Sequence, residues 1–532
     1  MEFETKTSIY KAVENVALAF PQRIAFYYMK KKFRYKKLLD NINSFANKLK
    51  ELGVKKDDVI TTVLPNIPEA VYLLYSINQL GAIANLIHPL IKLDQLEGIL
   101  EETKSKFVFV LDTTYDEFIP LKQKGINVIP CSPTDELPKI KKIIYSKLNA
   151  SKLRNVDQCS LKCCDFFKQE PLLEFDEDYM KDSFYLHSGG TTGKSKTIAL
   201  SNFSLNSLNA NDPWIVGKED LKGSYMLSVL PMFHGFGLAM GIHAELSHGG
   251  TNMLMPKFNT KETIKYIKQH HMTIMIGVPT LYEALLRHKS FKGSKLKEID
   301  VAFIGGDFVA QALINRFNEK MDYFHSKCRM FEGYGLTETV TVCSVNTHAN
   351  HKEGTVGKTL PNCKVKVMDL EGKKILGPDD FGELYIAGDT LMNGYRFTNE
   401  KQPFYTDNGV TWVRTGDLGS VDSEGYIHFK QRIKRLIKVN SINVFPSEIE
   451  NVVKRNIDVF DCCAIGVKDT KHGEMVKLFI VLDKNCKKDN INDEVNDLIV
   501  KECGIYAKPK EIVYVKKFNK TLVGKVDYKK FE

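Results

Sequence analysis

The nine residues Ser188-Gly189-Gly190-Thr191-Thr192-Gly193-Lys194-Ser195-Lys196 bring together three glycines, four hydroxyls and two lysines. That mixture suits a polyphosphate. Glycines let backbone N–H groups approach phosphate oxygens closely, hydroxyls donate further hydrogen bonds, and lysines neutralise charge. The segment follows Phe184-Tyr185-Leu186, which reads as the end of a strand. It nearly satisfies the nucleotide-binding pattern GxxxxGK(S/T), because Gly193-Lys194-Ser195 supplies the second half. The first glycine of that pattern would fall on Ser188, so the spacing fails and a P-loop kinase or NTPase is a decoy. A plain surface loop is the remaining bland reading, and folding alone has no use for so many glycines and hydroxyls.

Further along, segments with chemical character follow in a fixed order. They are Pro231-Met232-Phe233-His234-Gly235-Phe236-Gly237, Gly333-Tyr334-Gly335-Leu336-Thr337-Glu338, Gly382-Glu383-Leu384 and Met392-Asn393-Gly394-Tyr395. Trp412-Val413-Arg414-Thr415-Gly416-Asp417, the stretch from Arg432 to Lys438, Pro446-Ser447-Glu448-Ile449-Glu450 and Gly524-Lys525 complete the series. Together with the 188–196 loop, this order resembles the adenylate-forming (AMP-binding) superfamily, which includes acyl-CoA synthetases, aryl-CoA ligases, luciferases and peptide-synthetase adenylation domains. The resemblance covers essentially the whole chain.

It implies a two-step reaction. A carboxylate attacks the α-phosphate of Mg-ATP to give an acyl-adenylate and pyrophosphate; a thiol, usually that of coenzyme A, then takes the acyl group and releases AMP. Carried over residue by residue, Ser188, Gly189, Gly190, Thr191, Thr192, Gly193 and Lys196 would wrap the β- and γ-phosphates. Tyr334 and Gly335 would lie against the adenine, Thr337 would touch the α-phosphate, and Glu338 would hold Mg²⁺, a hard cation that takes one or two carboxylates beside phosphate oxygens. Asp417 would accept from the ribose hydroxyls, with Arg432 and Lys438 in the nucleotide-binding set. Lys525 would be the catalytic lysine and Lys434 the hinge about which the small domain swings.

The same resemblance places the acid beside His234, Gly237, Met240, Gly305, Gly306 and Gly335. Amino-acid-activating members carry an Asp near the position of His234, so the expected substrate is a carboxylic acid without an α-amine. Small residues with a pliable methionine suit an apolar tail, so a fatty acid is expected ahead of an aryl acid. Several positions depart from the family pattern: Ser195, Thr197, Gln431, Asp307 and, beyond the hinge, Ser441 in place of glycine. Ser441 lies where the family's loop meets the pantetheine arm, which leaves a carrier-protein thiol as the rival to coenzyme A. A non-catalytic descendant of the fold is the other class, and the joint presence of Glu338, Asp417, Arg432 and Lys525 argues against it.

The elements that position these segments are partly readable. Leu38, Ile42, Phe45, Leu49 and Leu52 step by four and three along one helical face, with Gly53 as the stop. Val59–Leu64 reads as a strand ended by Pro65-Asn66, Glu69 to Leu80 as a helix stopped by Gly81, and Phe107–Leu111 as a buried strand. This rhythm predicts an α/β fold: a large N-terminal domain over 1–432 of mostly parallel sheets covered by helices. Between about 130 and 180 the pattern weakens. From about 350 to 432, short runs such as Cys363–Met368 and Gly382–Ile386, broken by Gly and Pro, predict a strand-rich subdomain. A small mobile α+β C-terminal domain over 433–532 is expected, with a proline-led helix at Pro446 whose apolar side is Ile449, Val452 and Val453.

Composition excludes other classes. The 532 residues are 43% hydrophobic, enough for a large core, and no apolar run is long enough to span a membrane. Glu2 and Glu4 and the lack of an apolar signal core predict a cytoplasmic protein. The net charge of +10 comes in short lysine clusters without interleaved aromatics, so nucleic acid is not an expected partner. Eleven cysteines predict isolated thiols, since Cys159, Cys163 and Cys164 lack the paired spacing of a zinc knuckle. Oligomeric state is not legible.

Overall fold

A computed structural model describes residues 3–168, 170–188, 196–440, 442–484, 486, 488, 491–519 and 531. The chain divides into two compact units. One comprises Met1–Ser188, Ser195–Lys364 and Ala387–Val413; the other takes in Val365–Ile386 and Arg414–Glu532.

Two sheets organise the first unit. In one, Ile24–Tyr28, Thr251–Leu254, Tyr225–Ser228, Ile274–Gly277, Val301–Ile304 and Arg329–Tyr334 run parallel in that spatial order. Antiparallel strands cap its edges: Lys31–Arg34 at one end, Ser344–Val345 and Lys358–Thr359 at the other. In the second sheet Asp182–His187, Ile83–Leu86, Val59–Val63, Phe107–Leu111 and Asn127–Cys131 are parallel neighbours. Thr197–Ser201 and Gly394–Arg396 then add antiparallel to its edge. The central strand Val301–Ile304 is buried on both faces, which explains its unbroken apolar run; Ile83–Leu86 is buried likewise, with Asn85 the one polar residue in it.

The periodic segments form the expected elements. The Leu38, Ile42, Phe45, Leu49 stripe lies on the helix Tyr35–Glu51 and is buried. Pro68 leads the helix Pro68–Gln79, its missing N–H costing nothing at a helix start. One helix inverts the usual rule: Lys139–Leu148 has no buried residue. All eleven cysteines are free thiols.

In the second unit, the long hairpin Val459–Asp469 and Gly473–Leu482 carries Ile437–Val439 and Glu511–Tyr514 beside it. The helices Pro446–Val453 and Asn492–Cys503 bury Ile449, Val453, Val495 and Ile499 with Val476, Leu478 and Ile480 in a core of its own. The strands Val410–Val421 and Ile427–Arg432 pair antiparallel with Asp417 opposite Arg432.

Candidate active site

The glycine- and hydroxyl-rich segment joins two antiparallel strands of one hairpin. Ser188 N–H donates to the Lys196 carbonyl at 3.0 Å, and Lys196 N–H donates to Ser188 Oγ at 3.0 Å, so the base of the loop is closed from both sides. Gly189, Gly190, Thr191, Thr192, Gly193 and Ser195 lie outside the described residues, as do Ser441 and Lys525. Just below the base, His187 Nε2 meets Asn85 Oδ1 at 2.7 Å. Burial pushes the His187 imidazole down to about 4, so the ring is neutral at physiological pH.

Three sequence segments converge at Lys196, Tyr395 and Glu338. The Lys196 ammonium sits 4.4 Å from the centroid of the Tyr395 ring and 2.6 Å from Glu400 Oε2. The Tyr395 hydroxyl donates to Glu338 Oε1 at 2.7 Å, and Met392 N–H donates to the Glu338 carbonyl at 2.9 Å. Tyr395 reaches this position because Gly394–Arg396 pairs with the return strand of the hairpin, Gly394 opposite Ala199. A bidentate pair locks that short strand: Arg396 Nε and Nη2 each lie 2.7 Å from Asp182, and Asn393 Nδ2 donates to the same carboxylate at 3.0 Å.

Tyr334, Gly335, Thr337 and Glu338 lie at and beyond the end of the strand Arg329–Tyr334. The strand opens into a short 3-10 turn at Thr337–Thr339 and returns through Ser344–Val345. Tyr334 is buried and Gly335 exposed, with Thr337 and Glu338 half-buried. Val340, a β-branched residue, has φ of 64°, a strained conformation that the turn imposes. A Cβ on Gly335 would stand 1.4 Å from the Thr341 carbonyl oxygen, and one on Gly235 would stand 1.8 Å from that of Val340. Only glycine permits this close approach, so Gly235 and Gly335 together shape the turn that carries Glu338.

The chain reaches His234 from the first-sheet strand Tyr225–Ser228 and is braced by Asn66, which follows Val59–Val63 of the second sheet. Asn66 donates from Nδ2 to the carbonyls of Ser228 and Leu230 and accepts from Met232 N–H, fixing the chain just before His234. From Phe236 to His243 the backbone takes a π-helical course, a form frequent at functional sites. Gly237 and Met240 lie on that turn and are buried; the Pro231 carbonyl occupies the space a Gly237 side chain would fill. Gly305 and Gly306 follow the strand Val301–Ile304, Gly306 with φ of 81° and Gly305 packed against the Gly333 carbonyl. Asp307 is exposed and accepts from Phe308 N–H.

In the second unit Asp417 is buried and pairs through Oδ1 with Arg432 Nε at 2.9 Å. Thr415 braces the pair: its hydroxyl accepts from Asp417 N–H and donates to the Leu384 carbonyl, while its own carbonyl accepts from Arg432 Nη1. Glu383 accepts from Gly416 N–H and pairs with Arg414, so the Gly382-Glu383-Leu384 segment supports the turn holding Asp417. Gln431 accepts from Ser447 Oγ at 3.2 Å, an amide role that glycine could not fill and aspartate would fill with charge. Lys434 lies exposed in a short 3-10 turn, and Lys438 is exposed on the strand Ile437–Val439 with its N–H donating to Glu474.

Tyr395, Asp182 and Arg396 were not among the residues assigned roles from the sequence. Tyr395 ends Met392-Asn393-Gly394-Tyr395, and nothing in that segment announces that a phenol reaches Glu338. Among the described residues no group of three or more His, Cys, Asp or Glu is placed to hold a metal. Glu338 as a single carboxylate is a donor set that suits magnesium, which takes most of its ligands from water and phosphate.

Residues 13–396 match the AMP-binding enzyme family and residues 448–525 its C-terminal domain. The chain belongs to the AMP-binding enzyme family. It is 28% identical to a long-chain-fatty-acid–CoA ligase of Bacillus subtilis, over 96% of this chain and 91% of that protein. It is 27% identical to a probable 4-coumarate–CoA ligase of Dictyostelium discoideum, over 84% and 80%. Its fold is that of ATP-bound MatB from Rhodopseudomonas palustris, with a TM-score of 0.84 at 22% identity and 98% of both chains covered. A benzoate CoA ligase from Burkholderia xenovorans is similar in fold, with a TM-score of 0.82 at 18% identity over 98% and 99%. No helix among the described residues is long and apolar enough to cross a membrane.

Proposed function

We propose that this protein is an ATP-dependent acid–thiol ligase, forming an acyl-adenylate from a fatty acid and then passing the acyl group to coenzyme A. The observation that carries this reading is the meeting of Lys196, Tyr395 and Glu338 from three separate motifs. In the first step a carboxylate oxygen bonds to the α-phosphorus and the bond to pyrophosphate breaks. In the second, a thiolate sulfur bonds to the acyl carbon and AMP leaves. Both steps gather charge on phosphate and carbonyl oxygens, so positioned donors and cations carry the catalysis.

Ser188, Gly189, Gly190, Thr191, Thr192, Gly193 and Lys196 hold the β- and γ-phosphates in this reading. Tyr334 and Gly335 pack against the adenine, Thr337 donates to the α-phosphate, and Asp417, Arg432 and Lys438 bind the ribose side. Glu338, aimed by Tyr395, would hold Mg²⁺, whose charge offsets that of the phosphates. Lys525 bridges carboxylate and α-phosphate oxygens, and Lys434 is the hinge between the two half-reactions. His234, Gly237, Met240, Gly305, Gly306 and Gly335 line the acid's site.

A fatty acid is favoured because the long-chain-fatty-acid ligases align over 96–98% of the chain, whereas the 4-coumarate ligases align over 84%. Acid-dependent exchange of labelled pyrophosphate into ATP across fatty and aryl acids tests both the reaction and the substrate. Exchange with long-chain acids, lost in Lys525→Ala, is expected; no exchange with any acid, or exchange indifferent to Lys525→Ala, overturns the reading. Thioester formed only on a holo carrier protein would replace coenzyme A as acceptor.

A further inference from the structure

The helix Lys139–Leu148 is built inside out. Ile140, Ile144 and Leu148 form one i, i+4, i+8 row with Ile143 beside it, the spacing of a core-facing stripe. Yet they are 72%, 53%, 79% and 55% exposed respectively. The opposite side is polar and turned toward the protein. Lys141 donates to the Met29 carbonyl, Lys142 to that of Asp135 at 2.6 Å, and Tyr145 to Asp112 at 2.6 Å. Tyr145 also lines a cleft of about 410 Å³ with Asp112, Asp135 and Lys162, so the inward face has polar surroundings. The register of the helix is therefore fixed by these three bonds, and rotation to hide the isoleucines would break all of them.

Charge accompanies the apolar row. From Lys139 to Arg154 the sequence holds six basic residues and no acidic one. Lys147 lies on the apolar side, where a long stem can cover hydrocarbon while its ammonium reaches a phosphate. Met29 and Lys30 are exposed on the adjoining turn, to which Lys141 is bonded. A protein partner would have to match both an apolar row and a surrounding field of lysines; an anionic bilayer surface matches both at once. We propose that this helix lies flat on an anionic phospholipid surface, with Ile140, Ile143, Ile144 and Leu148 entering the headgroup boundary and the flanking lysines meeting phosphates. At ten residues it spans about 15 Å, enough for a shallow, reversible anchor and too short to cross.

The test is co-sedimentation of the full-length protein with sucrose-loaded vesicles of equal parts phosphatidylglycerol and phosphatidylcholine, beside vesicles of phosphatidylcholine alone. Binding to the anionic vesicles only, weakened by added salt, is expected. The exposed pair Ile144→Ser with Leu148→Ser should lower partitioning about tenfold or more, and so should Lys139→Glu with Lys147→Glu. Neither pair removes a buried contact, and an unchanged melting temperature confirms intact folding. Wild-type protein staying in the supernatant, or equal partitioning of wild type and both variants, overturns the proposal. So does a wild-type dimer that the Ile144→Ser, Leu148→Ser pair dissociates, which would give this face to a second copy of the chain. Lipid docking is independent of the ligase reaction, and the two can fail separately.

Discussion

The Tyr395 hydroxyl donates to Glu338 Oε1 at 2.7 Å, so one motif aims the carboxylate that ends another. The Tyr395 ring at the same time carries the Lys196 ammonium on its face. Tyr395→Phe separates these duties, because it keeps the ring and removes only the donor. A hydrogen bond to a charged group is worth about 1.5–3 kcal/mol, so pyrophosphate exchange should fall about ten- to hundredfold. With Glu338 as the magnesium-holding carboxylate, the Mg²⁺ concentration giving half-maximal exchange should rise. A loss of rate with no change in that midpoint would separate Glu338 from the metal.

Gly335→Ala places a methyl group where the Thr341 carbonyl already sits. The backbone must move by more than an ångström to admit it, and the turn carrying Thr337 and Glu338 moves with it. Displacements of that size cost about a hundredfold in rate. Because Gly335 is at the surface, the melting temperature should fall by only a few degrees while exchange falls about a hundredfold. Equal, proportionate losses of folded protein and activity would mark the glycine as merely structural.

How far the sequence reaches depends on whether its signal is local. The stripe of Leu38, Ile42, Phe45 and Leu49 became a buried helix face, and the apolar run Phe107–Leu111 a buried strand, because both signals lie within one short segment. The proline-led helix start at Pro446 is likewise local. The long-range pairings are not. Nothing in Thr197–Ser201 says that it returns antiparallel to Asp182–His187, nor that Gly394–Arg396 adds beside it and carries Tyr395 to Glu338. The π-helical course after His234 is equally silent, since Phe236–His243 reads as an ordinary apolar helix. The stretch from 130 to 180 reads weakly because short 3-10 turns and irregular chain follow its one helix, and the apolar row of that helix, Ile140, Ile144 and Leu148, does not announce that it faces outward. The roles of Lys525 and the 189–193 loop rest on motif order alone.

Glu245 offers a test by pH. It is fully buried, its Oε2 accepts from Ser224 Oγ at 2.5 Å, and burial raises its carboxyl from 4.5 to about 8. The folded protein therefore keeps this proton at pH values where the unfolded chain has lost it. Between about 4.5 and 8 the native state binds more protons, so stability falls as pH rises through that window and levels off above it. The shift amounts to a few kcal/mol. Glu245→Gln, which cannot ionise, should flatten this slope by one proton across the window in melts followed from pH 5 to 9. A slope unchanged in the variant would mean another buried acid carries it.

The Asp417–Arg432 pair separates binding from chemistry. Asp417 is 1% exposed at its side chain whereas Arg432 is half exposed, so the buried partner is the one that cannot recover its lost contact from water. In the proposed role Asp417 also accepts from the ribose hydroxyls, contacts that are the same in the ground and transition states. Interactions of that kind set KM without changing kcat. Asp417→Asn keeps the shape and one acceptor oxygen but loses the charge that holds Arg432. The KM for ATP should rise about tenfold or more with kcat within about threefold of wild type, and the protein should lose about 1–3 kcal/mol of stability. Arg432→Lys should raise KM for ATP in the same direction with a smaller loss of stability, because an exposed ammonium stays hydrated when its geometry no longer matches Asp417 and Thr415. A fall in kcat with KM unchanged in Asp417→Asn would move Asp417 from ribose binding to the chemical step.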